Sequence, residues 1–235
     1  MTKNHYHNNP YHNFRHVVDV AQALYSFLVS GKSLELLSYV EIFALLVTTF
    51  VHDLGHPGVN NAFLIATEDA LSLEYNDQSP LENFHCASAW SILTDPSTNI
   101  IEGLSSTERS QFRQIMISSI LITDPSRTME VISKFEGIKS TFDQSNFEHR
   151  TCFCHLLLKC ADVSNPTRPF AISRYWAEMI QAEFYLQVSC SSDYIHLMDT
   201  NSLSGRSRER VRTASFPLYG SESGRMPPSH ASELY

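Results

Sequence analysis

The chain has 235 residues, of which 43% are hydrophobic and 18% are charged, a composition typical of a globular protein with a sizeable core. Its formal net charge of −8 argues against general attraction to nucleic acid or acidic membranes. The longest apolar run, 42–51, is shorter than the roughly 20 residues of a membrane span, and we find no targeting peptide.

The helical period of apolar residues extends over 11–187. In chain order it predicts helices over 16–28, 34–50, 60–65, 71–75, 81–93, 109–122, 126–138, 152–161 and 172–187. Ser105 followed by Glu108 is typical of a capping box at a helix start. No segment alternates with a period of two over a useful length, so we predict an all-α fold.

The two ends of the chain differ from this helical region. Residues 1–10 are predicted to be an N-terminal extension, and 188–235 a Ser/Arg/Pro/Gly-rich tail that is disordered. The odd cysteine count, without a C-x-x-C pair or secretion signal, indicates reduced and mostly buried thiols in a soluble, cytoplasmic protein. The cysteines are Cys86, Cys152, Cys154, Cys160 and Cys190.

Three groups of residues suggest chemistry, beginning with His12 and His16. Four positions apart, these histidines project from the same face of a helix. Such a pair is equally compatible with ordinary surface or core histidines. Taken with the groups below, His16 is a candidate metal ligand and His12 a candidate proton donor.

The second group is His52, Asp53 and His56, directly after the apolar run. Imidazole nitrogen and carboxylate oxygen suit zinc, whereas carboxylate and water suit magnesium or manganese. An adjacent His-Asp pair is typical of metal-dependent phosphohydrolases, although the dipeptide alone is common. Its place at the end of a buried helix favours the metal-binding interpretation.

The third group is Asp162 with Asn165. A carboxylate at the end of an apolar helix is costly unless it is paired, and metal binding would resolve that cost. A helix-terminal aspartate beside a turn is the alternative interpretation.

In this order and spacing, the segments resemble the catalytic domain of the class I cyclic-nucleotide phosphodiesterases. The resemblance covers about 11–187. It rests on YHNFRHVVDV at 11–20, HDLGHPGVNNAFL at 52–64, YNDQSPLENFH at 75–85, ITD at 122–124, KCADVSNPTRP at 159–169 and AEFYLQ at 182–187.

This resemblance implies an all-helical fold with a buried two-metal site that hydrolyses the 3′ phosphoester of cyclic AMP or cyclic GMP to a 5′-nucleotide. It makes His16, His52, Asp53 and Asp162 ligands of a tightly held metal, usually zinc, and Asp53 a bridge to magnesium or manganese. A hydroxide between the two ions would attack phosphorus, and His12 would protonate the leaving oxygen.

The resemblance also implies supporting roles. Glu183 would orient His12 and raise its pKa. Residues that hold metal-bound waters would be His56, Glu82, His85, Thr123 and Asp124. The nucleotide would contact Tyr11, His12, Asp53, Asp162 and Asn165. Trp90 and Trp176 lie in helical stripes and are predicted to be core residues.

The sequence departs from the family pattern at several positions. Gly55 stands where many members have an acidic residue, Phe84 replaces the first histidine of the usual LENHH, and Pro125 replaces a methionine. We also expect the domain to be incomplete at both ends, and the usual purine-binding glutamine and phenylalanine are not found in 188–235.

Two other functions stay open from the sequence. One is a catalytically impaired remnant that binds metal or a partner. The other is a different HD-type phosphohydrolase, which the spacing of the motifs disfavours. The sequence predicts a cyclic-nucleotide substrate and no nucleic-acid partner, and it leaves oligomeric state open.

Overall fold

A computed structural model describes residues 2–31 and 33–201, with side chains described through residue 189. Ten α-helices occur in this part of the chain, and none of the residues described there forms a strand, which confirms the predicted all-α class. The helices are α1 (Phe14–Ser30), α2 (Ser33–Leu36), α3 (Tyr39–Val51), α4 (Asn61–Ala66), α5 (Ala70–Glu74), α6 (Pro80–Thr94), α7 (Ser106–Leu121), α8 (Thr128–Ile138), α9 (Phe147–Asp162) and α10 (Phe170–Asn201).

Three short 3₁₀ helices accompany them: Thr2–His5, Pro125–Arg127 and Asn165–Thr167. The described residues through His196 belong to one compact unit. Within the described ranges, no helix has the length and hydropathy needed to cross a membrane.

The core lies where α1, α3, α7 and α9 pack against one another. Helix α1 buries the stripe containing Val20, Leu24 and Leu28, while α7 contributes Phe112. All these side chains are at most 2% exposed, so the helices that deliver the predicted ligands share one apolar interior.

The predicted single helix over 34–50 is wrong, because the chain is divided into α2 and α3. The Ser38 hydroxyl accepts from the Glu41 amide, and the Glu41 carboxylate accepts from the Ser38 amide, so α3 begins with a capping box. The apolar pattern runs across this break and hides it.

Other helix ends also differ from the sequence pattern. Helix α9 begins at Phe147, five residues before the predicted start, because the Asn146 side chain caps its first turn. Helix α10 extends to Asn201 rather than ending at Gln187. The remainder of the predicted tail, 202–235, lies outside the described residues.

Candidate active site

Four predicted metal ligands meet in the structure. His16 Nε2 lies 3.1 Å from Asp162 Oδ1 and 3.4 Å from Asp53 Oδ2. His52 Nε2 lies 3.2 Å from Asp53 Oδ2 and 3.5 Å from Asp162 Oδ1. Two imidazole nitrogens and two carboxylate oxygens therefore converge on one small volume, although His16 and Asp162 are 146 positions apart in sequence.

Helix ends position these side chains. His16 lies in the first turn of α1, where the Asn13 side chain accepts from the amides of Arg15 and His16. His52 and Asp53 follow the last residue of α3, and Asp162 is the last residue of α9. Packing α1, α3 and α9 together consequently brings their ligand-bearing ends together.

The orientation of His52 fits metal binding. Its Nδ1 lies 3.0 Å from the Thr49 carbonyl oxygen and donates to it, so Nε2 is the nitrogen that faces the cluster. Nε2 is buried, and among the described residues it has no well-directed hydrogen-bond partner. An unpartnered buried nitrogen beside two carboxylates is what a bound cation would satisfy.

Charge within the cluster acts in the same direction. Burial would raise the pKa of Asp53, but the charge of His52 holds it well below its usual range. Burial would lower the pKa of His52, but the charge of Asp53 raises it well above its usual value. The cluster therefore favours a positive species beside ionised carboxylates, as a metal site requires.

The predicted acid, His12, is paired with the predicted orienting residue, Glu183. Glu183 Oε1 contacts His12 Nδ1, while Oε2 accepts from the backbone amides of Tyr11 (2.9 Å) and His12 (3.0 Å). Burial would lower the pKa of His12, but its bond to Glu183 and the charge of Asp53 raise it above the ordinary value. The contact with Glu183 therefore occupies Nδ1, and the raised pKa favours the charged form of His12.

His56 stacks on His12 with a ring separation of 3.9 Å. Its Nδ1 accepts from the Gly58 amide at 3.0 Å. Burial and the charge of His12 lower the pKa of His56 well below its usual value. His56 is therefore a neutral imidazole packed against a charged one.

The other predicted water-holding residues are buried around this cluster. His85 Nδ1 lies 2.7 Å from the Leu54 carbonyl oxygen, and its Nε2 is 4.0 Å from Asp53 Oδ1. Glu82 accepts from Asn61 at 2.9 Å, and burial raises the pKa of Glu82 to about 7.

Thr123 and Asp124 are likewise buried. Burial would raise the pKa of Asp124, but hydrogen bonds from Ser79 and Ser126 lower it. Lys159 Nζ donates to the carbonyl oxygens of Thr123 (2.7 Å) and Asp124 (3.3 Å). This lysine, the first residue of the 159–169 motif, joins α9 to the turn after α7.

Tyr11 and Asn165, the predicted nucleotide-pocket residues, contact each other, with the Tyr11 hydroxyl donating to Asn165 Oδ1. The Tyr11 ring lies 4.7 Å from the His16 ring and 5.5 Å from the Trp176 ring. Trp176 is 6% exposed, which confirms the prediction that it is a core residue, and it packs against Tyr11 of the site. Trp90 is only partly buried and lies under Arg113.

Two departures from the family pattern, Gly55 and Phe84, are in contact. Gly55 has a φ of +68°, and a Cβ built on it would lie 2.8 Å from Phe84 Cε1. A side chain at position 55 would be strained by the backbone and would clash with the ring. Glycine at position 55 therefore leaves room for the Phe84 ring of α6 beside the turn between Asp53 and His56.

Asn9 was missed by the sequence analysis. Its Nδ2 donates to the carbonyl oxygens of His12 (3.0 Å) and His56 (2.7 Å), linking the backbone of the two stacked histidines. A single asparagine in a His/Asn-rich stretch carries no local signal for this role.

The thiols agree only partly with expectation. Among the described side chains, Cys86 and Cys154 are buried, Cys152 is intermediate and Cys160 is exposed, and all four are free. Cys190 lies outside the described side chains.

A family model and individual relatives identify the same protein family. The family model described as 3′5′-cyclic nucleotide phosphodiesterase matches residues 11–212. The human high affinity cGMP-specific 3′,5′-cyclic phosphodiesterase 9A is 41% identical over 182 residues, which cover 77% of this chain and 31% of that protein. The rat 3′,5′-cyclic-AMP phosphodiesterase 4C is 34% identical over 192 residues, which cover 78% of this chain and 36% of that protein.

Solved structures agree with the sequence relatives. The structure of LmjPDEB1 in complex with IBMX has a TM-score of 0.79 and 40% identity, covering 82% of this chain and 58% of that one. The phosphodiesterase domain of the RhoPDE fusion protein from Salpingoeca rosetta has a TM-score of 0.79 and 35% identity, covering 82% and 62%. The chain thus spans about a third of the curated relatives cited and about three fifths of these structures.

Proposed function

Because the chain belongs to the 3′5′-cyclic nucleotide phosphodiesterase family, we propose that it hydrolyses 3′,5′-cyclic nucleotides to 5′-nucleoside monophosphates. One observation carries the proposal: the His16, His52, Asp53 and Asp162 cluster lies beside a charged His12 held by Glu183. Metal ligands and a proton donor in one place are the two elements that phosphoester hydrolysis needs.

Four residues would hold the metal. His16, His52, Asp53 and Asp162 have the donor types of a zinc site, and Asp53 has a second oxygen that a magnesium or manganese ion could share. When bound, the cations supply a nucleophilic water at neutral pH and neutralise charge on the phosphate. The protein contributes the fixed orientation of His52, through Thr49, and two carboxylates, Asp53 and Asp162, that are largely shielded from solvent.

His12 would supply the proton. As the bond from phosphorus to the 3′ oxygen breaks, His12 Nε2 gives its proton to that oxygen, while the attacking water provides the new phosphate oxygen. Glu183 keeps His12 charged before transfer and fixes the ring by occupying Nδ1. His56, neutral and stacked on His12, adds no competing charge.

The substrate is proposed at the level of a class. The relatives include enzymes named for cyclic GMP and for cyclic AMP, so their names support a cyclic nucleotide without choosing a base. Tyr11 and Asn165 would line the nucleotide side of the cluster. We also propose that the protein acts inside the cell, which its free thiols support.

A second function is a metal-binding or partner-binding module without turnover. The observation that favours it is the surface of α10, where Phe184, Tyr185, Leu186 and Val188 are each more than half exposed. An apolar surface of this kind is a common protein-binding feature.

A turnover assay separates the two functions. The full chain, with zinc and magnesium or manganese, should consume cyclic AMP or cyclic GMP and release a 5′-monophosphate, measured by chromatography against both 3′ and 5′ standards. Asp53→Ala should lose bound metal and turnover together, whereas Asp95→Asn, an exposed carboxylate in a turn, should match the parent. Absence of turnover in a folded, metal-loaded chain would support the second function instead.

A further inference from the structure

A polar chain runs from Tyr11 through Asn165 and Asp19 to Arg168. We propose that Asp19 and Arg168 are positioning residues, which set the orientation of the Asn165 carboxamide and thereby hold Tyr11 over the ligand His16. The family motifs gave neither of them a role. The catalytic part of this inference rests on the proposed function, while its metal-binding part can be measured separately.

The orientation of Asn165 is decided by Asp19. Asn165 is 5% exposed, and its Nδ2 donates to Asp19 Oδ2 at 2.9 Å. A carboxylate only accepts hydrogen bonds, so the NH₂ end must face Asp19 and the oxygen must face the Tyr11 hydroxyl. Without the Asp19 carboxylate, the Asn165 carboxamide could turn either its NH₂ group or its oxygen toward position 19.

Arg168 in turn holds Asp19. Its Nη2 donates to Asp19 Oδ1 at 3.0 Å and to the Asp19 carbonyl oxygen at 3.2 Å. The two side chains are only 14% and 21% exposed, so the pair is shielded but not dry. Both Asp19 oxygens are therefore used, one toward Asn165 and one toward Arg168, which fixes the plane of the carboxylate.

The hydrogen-bonded series from Tyr11 to Arg168 lies next to the segments that carry the metal ligands. Asp19 lies one turn after His16 on α1, and Asn165 lies three residues after Asp162 at the end of α9. The hydrogen bond between Asp19 and Asn165 therefore ties together the two segments that carry these ligands. It adds a directional contact where the core packing of α1 against α9 is not directional.

The orientation of Asn165 determines how the Tyr11 hydroxyl is bound. The Tyr11 hydroxyl donates its proton in a hydrogen bond to the Asn165 oxygen. The ring packs 4.7 Å from His16 and 4.8 Å from His12. A rotated Asn165 amide would remove the acceptor of the Tyr11 hydroxyl, so the ring beside His16 would lose its present hydrogen bond and be held less firmly.

The test uses the full chain with Asp19→Ala, Asp19→Asn, Arg168→Gln and Arg168→Lys. The control is Arg174→Gln, which removes an exposed ion pair with Glu178. We expect Asp19→Ala and Arg168→Gln to weaken zinc binding to the metal-free chain by roughly 10-fold, measured by calorimetry with a competing chelator. Arg168→Lys should recover part of this loss, and Arg174→Gln should bind like the parent.

Kinetics give the second readout, since kcat/KM for a cyclic nucleotide should fall by a similar factor in the same two variants. Parental zinc affinity and kcat/KM in Asp19→Ala and Arg168→Gln would overturn the inference. Should Asp19→Ala fail to fold, Asp19→Asn, which preserves shape but not charge, decides in its place.

The two proposals can fail separately. Altered zinc affinity in the variants of a chain that never turns over cyclic nucleotides would support the positioning role and sink the proposed activity. Turnover by the parent, with unchanged zinc affinity and kcat/KM in the variants, would support the proposed activity and overturn the positioning role. A parent chain with no zinc affinity would overturn both.

Discussion

The metal-ligand cluster and the acid pair lie side by side but are built differently. His16, His52 and Asp162 come from the ends of α1, α3 and α9, helices that share the apolar core. The acid pair depends on α10, of which Trp176 and Glu183 are buried while neighbours such as Phe184 are exposed. The ligands are supported by the packing of these helices, while the orientation of His12 depends on the buried Glu183 carboxylate and on stacking against His56.

We expect metal binding and proton donation to be separable. The helices that carry the ligands pack through core residues such as Leu24 and Phe112, and Glu183 is not part of that core. A change at Glu183 should therefore impair proton transfer while leaving the metal cluster intact. Substitutions at His12, Glu183 and Gly55 test that separation.

The largest effect is expected from His12→Ala. Loss of the proton donor should lower kcat by roughly 10²–10⁴-fold, while metal content measured by mass spectrometry stays at the parental value. His7→Ala, an exposed histidine in the same stretch, is the control and should keep full activity. Loss of metal in His12→Ala would contradict the separation, since it would make His12 part of the metal side.

Glu183→Gln should give an intermediate effect that depends on pH. Glu183 raises the pKa of His12, so removing its charge lowers that pKa, and the alkaline limb of kcat/KM moves to lower pH. At pH 8 we expect a loss of roughly 10-fold or more. Glu178→Gln, on the exposed side of the same helix, should leave the profile in place.

The same substitution has a signature in stability. A histidine whose folded-state pKa is raised contributes stability that is fully present below its unfolded pKa and lost as pH rises through the folded pKa. The difference in unfolding free energy between the parent and Glu183→Gln should therefore be larger at pH 6 than at pH 9, measured by denaturant titration. An equal difference at both pH values would show that the pair is not ionised.

Gly55→Ala should give the smallest effect, confined to the metal side. The positive φ alone costs about 1–2 kcal/mol for a side chain, and the new Cβ also presses on Phe84. Stability should fall by about that amount in denaturant titration, with some loss of metal affinity because Asp53 is two residues away. Gly103→Ala, where a Cβ meets no atom within 4 Å, is the control.

Much of the fold could be predicted because its signals are local. The apolar period gave the order of the helices, and Ser105 with Glu108 marked the start of α7, where the structure has the predicted capping box. The break at Ser38 was missed because apolar residues continue across it, and a capping box is weaker evidence than an unbroken apolar period. The early start of α9 at Phe147, after the N-cap Asn146, was missed because the first turns of that helix carry little apolar pattern.

The candidate site was predictable to a different degree at each residue. His52 and Asp53 stand together after an apolar run, and the surrounding motif identifies them. Asn9 has no such signal. Asp19 and Arg168 lie inside quoted motifs, but nothing local marks their contacts, because each acts through hydrogen bonds to residues that are distant in sequence. The contact between Gly55 and Phe84 is likewise visible only in three dimensions.

The sequence by itself determined the helical class, the family and the kinds of donor atom, because helical period and side-chain chemistry are properties of short segments. Only the tertiary structure decided that His16 and Asp162 lie 3.1 Å apart, that His52 turns its free nitrogen inward, and that Asn165 faces Tyr11 with its oxygen. These features depend on how α1, α3 and α9 pack, and that packing is set by contacts between residues far apart along the chain.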